Sequence, residues 1–336
     1  MKKKYNKNIY TDIALEVAEN IGEVDGVTVA YNNFEDAELK TTIVDITDEN
    51  GSTKMGKPKG RYITLESPLL KYNDPPAHER IISELAKNLA YLYEFEAHDT
   101  ILVVGLGNWN VTPDALGPRV VNRLLVTRHI RNTDAVPEEI DESVRSVCAL
   151  TPGVMGITGI ETFEIVKGVV DRVKPDVVIA IDALAARSVN RINCTIQMSN
   201  TGVNPGAGLG NKRKPLNFET MGVPVIAIGV PTVVDAATLI NDSLDGILDN
   251  IIAETNLSYG DGESSPDKDF YEMLLQLSEN DRYDAITKSL EPYAGNMFVT
   301  PKEVDAVIDR LSAIIGNGIN ISLHPGITIE DINKFA

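Results

Sequence analysis

The sequence predicts an α/β fold: a largely parallel or mixed central sheet between helices, with a small β-rich part at its N-terminus. Three observations carry that expectation. Short, wholly apolar runs at residues 101–104, 177–181 and 225–228 suit strands covered on both faces. Stretches of helical periodicity separate them, so strand and helix alternate along the centre of the chain. Upstream of residue 75 the apolar runs alternate instead with Gly- and Lys-containing turns, the pattern of short strands.

In the N-terminal part, residues 13–75, strands are expected at 27–31, 41–46 and 62–65, separated by turns such as Asn50-Gly51 and Lys57-Pro58-Lys59-Gly60. From Pro76 to Glu96, Ile81, Ile82, Leu85, Leu89 and Leu92 recur at the spacing of an amphipathic helix, which opens the α/β part, residues 76–336. After the run at 101–104, Thr112-Pro113-Asp114 reads as a helix start, with an N-cap, a Pro at the first position and an acid in the first turn. A helix is expected from about Glu161 to Val173, and another from Val233. The polar stretch 256–268 reads as a mobile loop. Beyond it, 271–277 and 301–315 read as helices, the second opened by a capping box at Thr300-Pro301-Lys302-Glu303.

The chain has 336 residues, with 31 Lys and Arg against 49 Asp and Glu, a net charge of −18. It is long enough for a sizeable core, and so acidic a surface disfavours nucleic acid and anionic membrane as partners. Cys148 and Cys194 read as reduced core thiols of a reducing compartment, and no CxxC or Cys/His array suggests zinc. Lys2, Lys3 and Lys4 imitate the start of a signal peptide. No apolar run follows before Glu16 and Glu19, and no segment approaches the roughly 18 apolar residues of a membrane span.

The segment 105–118, Gly-Leu-Gly-Asn-Trp-Asn-Val-Thr-Pro-Asp-Ala-Leu-Gly-Pro, is the most informative. Glycines directly after a buried strand permit a tight turn, yet a dinucleotide fingerprint fails because Asn110 stands at the third glycine position. Walker A, GxSxG and HExxH patterns are absent as well. What remains is a strand-end loop delivering Asp114. A second acid, Asp182, ends the run at 177–181, where open α/β sheets place their ligand crevice. Each acid has a purely structural reading, Asp114 as a dipole-stabilised first-turn acid and Asp182 as a helix N-cap. Together they are more telling, because two carboxylates held close resist double ionisation and can serve a water molecule as base and acid. Backbone N–H groups of the turn at Gly105, Gly107 and Asn108 are positioned to receive a developing oxyanion. Lys212, Arg213 and Lys214 form the only tight basic cluster downstream of the N-terminus, either a solvated loop or a partner for an acidic substrate side chain.

These segments, with 151–162, 179–187, 210–214, 222–236 and 299–305, closely resemble the germination protease (spore protease) family; residues 240–290 and the last dozen look unlike it. The resemblance implies an atypical aspartic endopeptidase, made as a zymogen, that cuts small acid-soluble spore proteins after Glu or Asp when germination begins. It implies Asp114 and Asp182 as the catalytic pair, a homotetramer, no cofactor, and the cytoplasm of the forespore or spore core as location. It also implies a fold shared with hydrogenase maturation proteases, in which the corresponding acids bind a metal ion together with a histidine. None of His78, His98, His129 and His324 has an obvious claim to that third place, and each reads as a solvated or helix-end residue. At the N-terminus, Tyr10-Thr11-Asp12-Ile13-Ala14-Leu15-Glu16 looks like a site this family cuts, so cleavage between Asp12 and Ile13 is expected to release residues 1–12 as a propeptide. The competing readings are a metal-dependent peptidase using the same acids, and a non-enzymatic α/β module whose Gly-rich loop holds a small ligand.

Overall fold

The computed structural model describes residues 13–22, 24–131, 144–206, 213–259, 279–294 and 297–335. Its strands are β1 (Val27–Phe34), β2 (Leu39–Ile46), β3 (Gly60–Glu66), β4 (Thr100–Gly105), β5 (Ser146–Leu150), β6 (Val177–Ala186), β7 (Thr195–Ser199), β8 (Val225–Asp235) and β9 (Phe298–Val299). They form one mixed sheet in the order β1-β2-β3-β7-β8-β6-β4-β5, with β9 pairing the end of β8. The block β8-β6-β4-β5 is parallel, as its uninterrupted apolar runs require. The N-terminal strands are antiparallel and continue the same sheet, because β3 pairs with β7 from Tyr62↔Ser199 to Glu66↔Thr195.

The longer helices are α1 (Ala14–Ile21), α2 (Glu49–Met55), α3 (Pro75–Leu92), α4 (Leu116–Val121), α5 (Thr162–Val173), α6 (Ala236–Tyr259), α7 (Glu279–Ala294), α8 (Val304–Leu323) and α9 (Ile329–Phe335). α3 begins where Asp74 accepts the Ala77 N–H at 3.1 Å, with Pro75 and Pro76 in the first turn. α5 begins with a reciprocal capping box between Glu161 and Glu164.

One face of the sheet is sealed by α3 and α8, whose Ile81, Leu85, Leu89, Ile308, Leu311 and Ile315 share a buried cluster with Ile101, Ile179, Ile181 and Ile228. Each such side chain contributes about 1.5–3 kcal/mol of burial free energy. The other face carries two separate patches. Leu102, Val104, Val178 and Ala180 lie with Val166 and Val170 of α5, while Val44, Ile46 and Tyr62 lie with Ala14 of α1 and Met55 of α2. Between those patches, over β7 and β8, the face opens into a cavity.

Several expected boundaries move. β6 runs to Ala186 and β8 to Asp235, so Asp182 lies inside its strand and α6 starts at Ala236 rather than Val233. Their mutual pairing, with a shift between Leu184 and Ala185, extends past the point where either sequence stops looking like a buried strand. Thr112–Asp114 is a single 3-10 turn; Thr112 caps nothing and donates its hydroxyl to Asp305 Oδ1 at 2.7 Å, tying the turn to α8. The Thr300 capping box does not form, since that hydroxyl donates to the Thr232 carbonyl and Glu303 is the N-cap of α8. Residues 256–259 of the expected loop belong to α6, whereas its remainder and the helix expected at 271–277 lie outside the described residues.

Candidate active site

β4 stops at Gly105, opposite Ile181, and the Leu106 N–H donates to the Ile181 carbonyl at 2.8 Å. Gly107 then takes φ +113°, and a Cβ there would lie 2.0 Å from the Asp114 carbonyl oxygen. That close approach lets the chain fold back so that the Asn108 N–H donates to both Asp114 Oδ2, at 2.8 Å, and the Asp114 carbonyl, at 3.1 Å. Gly105 and Gly117 let α4 abut the strand end, since a Cβ on Gly105 would lie 2.3 Å from the Gly117 carbonyl. The Leu106 and Asn108 amides are thus occupied inside the protein, and the glycine turn acts by fixing Asp114. Burial pushes the Asp114 carboxyl above the usual carboxylate range, opposed by the Asn108 N–H and by the positive charge of Arg213.

Asp182 stands one residue beyond the last β4 pairing, so its strand-interior position is still the place where the neighbouring strand ends. It is 7% exposed, and its Oδ1 accepts the Ala183 N–H at 3.0 Å. On its other side Asp182 is in register with Gly229 of β8, which in turn is in register with Gln197 of β7.

Asp114 and Asp182 line the same cavity, of about 460 Å³, together with Gly107, Arg213, Gln197 and Tyr62. Of the basic cluster, Arg213 faces this space. Lys214 is held against α5, its N–H donating to Glu161 Oε1 at 2.9 Å and its Nζ 4.9 Å from the Phe163 ring centre; Lys212 lies outside the described residues. Sequence reasoning missed Gln197 and Tyr62. The signal for Gln197 was a polar side chain alternating with Ile196 and Met198, which face the core. Burial pushes the Tyr62 hydroxyl up to about 12, and it donates to the Pro58 carbonyl at 2.8 Å.

Asp12 lies outside the described residues, but Ile13, Ala14 and Leu15 are fully buried. The Ala14 N–H donates to Gln197 Oε1 at 2.6 Å. Farther along α1, Glu16 and Glu19 reach Arg191 at 3.6 and 2.7 Å, and Arg191 also holds Glu66 of β3 at 3.0 Å. The N-terminal helix is therefore pinned beside the cavity by an ion cluster.

Among the described residues no third His, Cys, Asp or Glu joins Asp114 and Asp182, so the two acids do not complete a zinc-type donor set. His98 and His129 are exposed and His78 is half-buried against the Leu69 carbonyl. His324 takes the helix-end alternative, as the C-cap of α8. It ends α8 fully buried, with Nδ1 accepting the Arg145 N–H at 3.3 Å and Nε2 3.1 Å from the Leu125 carbonyl, and burial lowers its pKa. Cys194 is buried and Cys148 half-buried; both thiols are free, and burial pushes both up, away from thiolate chemistry.

A family model described as germination protease matches residues 5–264 and 255–336. That span takes in residues 240–290 and the last dozen residues, so the resemblance extends through the segments whose motifs differ from the family's. The germination protease of Clostridium perfringens (strain ATCC 13124) is 47% identical over 333 residues, covering 98% of this chain and 99% of that protein. The germination protease of Clostridium tetani matches at the same identity and coverage. That of Bacillus subtilis is 42% identical over 357 aligned positions, covering 97% and 96%. Among solved structures, a NiFe hydrogenase maturation protease HycI from Thermococcus kodakarensis KOD1 matches at 20% identity with a TM-score of 0.27, over 43% of this chain and 80% of that one.

Proposed function

The chain belongs to the germination protease family and is a peptidase, and from that premise we propose that the Asp114–Asp182 cavity is its active site. The observation that carries this reading is that two acids, one from the turn after β4 and one from within β6, border one cavity while burial favours a proton on Asp114. Asp182, whose carboxylate accepts the Ala183 N–H, is the base: it takes a proton from water as the oxygen attacks the scissile carbonyl carbon. Protonated Asp114 donates to the carbonyl oxygen and, as the tetrahedral species collapses, a proton passes to the leaving nitrogen. Atoms balance as water divided between the new carboxyl and the new amine.

The substrates are small acid-soluble spore proteins cut after Glu or Asp, and Arg213 supplies the cation that an acidic side chain needs at the cavity wall. The protein activates itself by cutting between Asp12 and Ile13; the burial of residues 13–15 beside a cavity residue supports this. The α1 segment is then its own first substrate, and it must open to be cut in an extended form. Incubating the protein with a purified small acid-soluble spore protein, with and without a chelator, and mapping products by mass tests the assignment. Cuts C-terminal to Glu or Asp that survive the chelator are expected; cuts without acidic preference, or abolished by the chelator, refute it.

A further inference from the structure

Gln197 is a polar side chain with no part in the chemistry derived so far. It lines the cavity, is 9% exposed, and accepts a backbone N–H from a residue far away in sequence, Ala14. Its position relative to the acids is set by the sheet. Asp182, Gly229 and Gln197 are in register across β6, β8 and β7, so Asp182 and Gln197 project from the same face. Two strand spacings put their Cα atoms about 10 Å apart. The residue between them is Gly229, and the Leu184 side chain fills the space over it, since a Cβ there would lie 2.5 Å from Leu184 Cδ1. One extended residue of about 3.3 Å, plus the reach of the two side chains, fills that span.

We propose that Gln197 Oε1 is a substrate-backbone anchor: it accepts the N–H of the second residue beyond the scissile bond, in protein substrates as it does with Ala14. The inference rests on the reading of the cavity as the active site and of Asp12–Ile13 as a scissile bond, in whose numbering Ala14 is that second residue. A neutral amide oxygen suits this task. It recognises main chain without demanding a particular side chain, and it adds no charge to a cavity whose two acids must share one proton. The competing role is purely structural: Ile13, the N-cap of α1, offers no side-chain cap, and Gln197 satisfies the first free N–H of that helix.

A peptide of the chain's own residues 8–19 and an analogue whose Ile13–Ala14 amide is an ester, which removes that N–H and weakens the Ile13 carbonyl as an acceptor, separate the two roles when compared across Gln197 variants. The enzymes are processed wild type, Gln197→Met and Gln197→Glu, compared by kcat/KM at the Asp12–Ile13 bond. Wild type is expected to lose about 3- to 10-fold on the ester. Gln197→Met should lose a similar factor on the amide peptide and be indifferent to the ester, while Gln197→Glu, which keeps an acceptor oxygen, restores the discrimination. Wild type that treats both peptides alike overturns the proposal, as does a Gln197→Met enzyme that still discriminates. If Gln197→Met does not fold, Gln197→Ala takes its place in the same comparison. An amide peptide left uncut, or cut at another bond, refutes the parent reading of the scissile bond and the anchor with it.

Discussion

Gly107→Ala tests the claim that the glycine turn exists to place Asp114. The added methyl would lie 2.0 Å from the Asp114 carbonyl oxygen and 3.2 Å from Asp114 Oδ1, where real contacts stay beyond 3.0 Å. The turn must therefore yield by about 1 Å, and it yields at Asp114 because β4 on the other side is paired into the sheet. An alanine at φ +113° also carries backbone strain on the order of 1–3 kcal/mol. Displacing a reacting group by about 1 Å costs on the order of 10²-fold in rate. The strain and the displacement separate with Gly222→Ala, where φ is +79° but nothing lies within 4 Å of the new methyl. Both variants are expected to melt lower than wild type, and only Gly107→Ala to lose about 10²-fold in spore-protein cleavage. Wild-type rates in a folded Gly107→Ala protein would refute the reasoning.

Three further outcomes follow from the same geometry. Arg191→Ala leaves Glu16, Glu19 and Glu66 facing one another without their cation, a loss on the order of 3–5 kcal/mol for a largely buried cluster; α1 should lose hydrogen-exchange protection and Asp12–Ile13 processing, followed by intact mass, should accelerate. Asp114→Asn should melt higher than wild type at pH 7, because a carboxyl whose folded pKa lies above 3.8 binds protons more tightly when folded, so stability falls as pH rises through the folded value. The gain should vanish as pH falls toward 3.8, and a gain persisting there contradicts the burial argument. Arg213→Gln should cut kcat/KM at Glu and Asp sites by about 10-fold or more while sparing neutral sites, and should shift the alkaline limb of the pH–rate profile upward, since Arg213 restrains the Asp114 pKa.

Much of this architecture was legible in the sequence because it is written in local patterns. The runs at 101–104 and 177–181 declare buried parallel strands, and Gly105, Gly107 and Gly117 declare close backbone approaches. The joining of β3 to β7 was not legible, since pairing residues 62–66 with 195–199 is a long-range choice with no local mark. The ends of β6 and β8 were misjudged for the same reason: Ala183, Ala185 and Ala186 look helical until the partner strand is known. Asp114 and Asp182 stand out in the sequence because an acid following an apolar run is conspicuous; that they border one cavity is visible only in the fold. Gln197 does not stand out, because its meaning comes from being two strands from Asp182 and within reach of Ala14.

The central claim is that Asp114 and Asp182 together activate water, and it is tested most directly by cleavage rates of Asp114→Asn and Asp182→Asn on a purified small acid-soluble spore protein, with circular dichroism confirming the fold. Loss of one proton-transfer partner is expected to lower the rate by at least about 10²- to 10⁴-fold in each variant. Either variant cutting at the wild-type rate while folded would contradict the account.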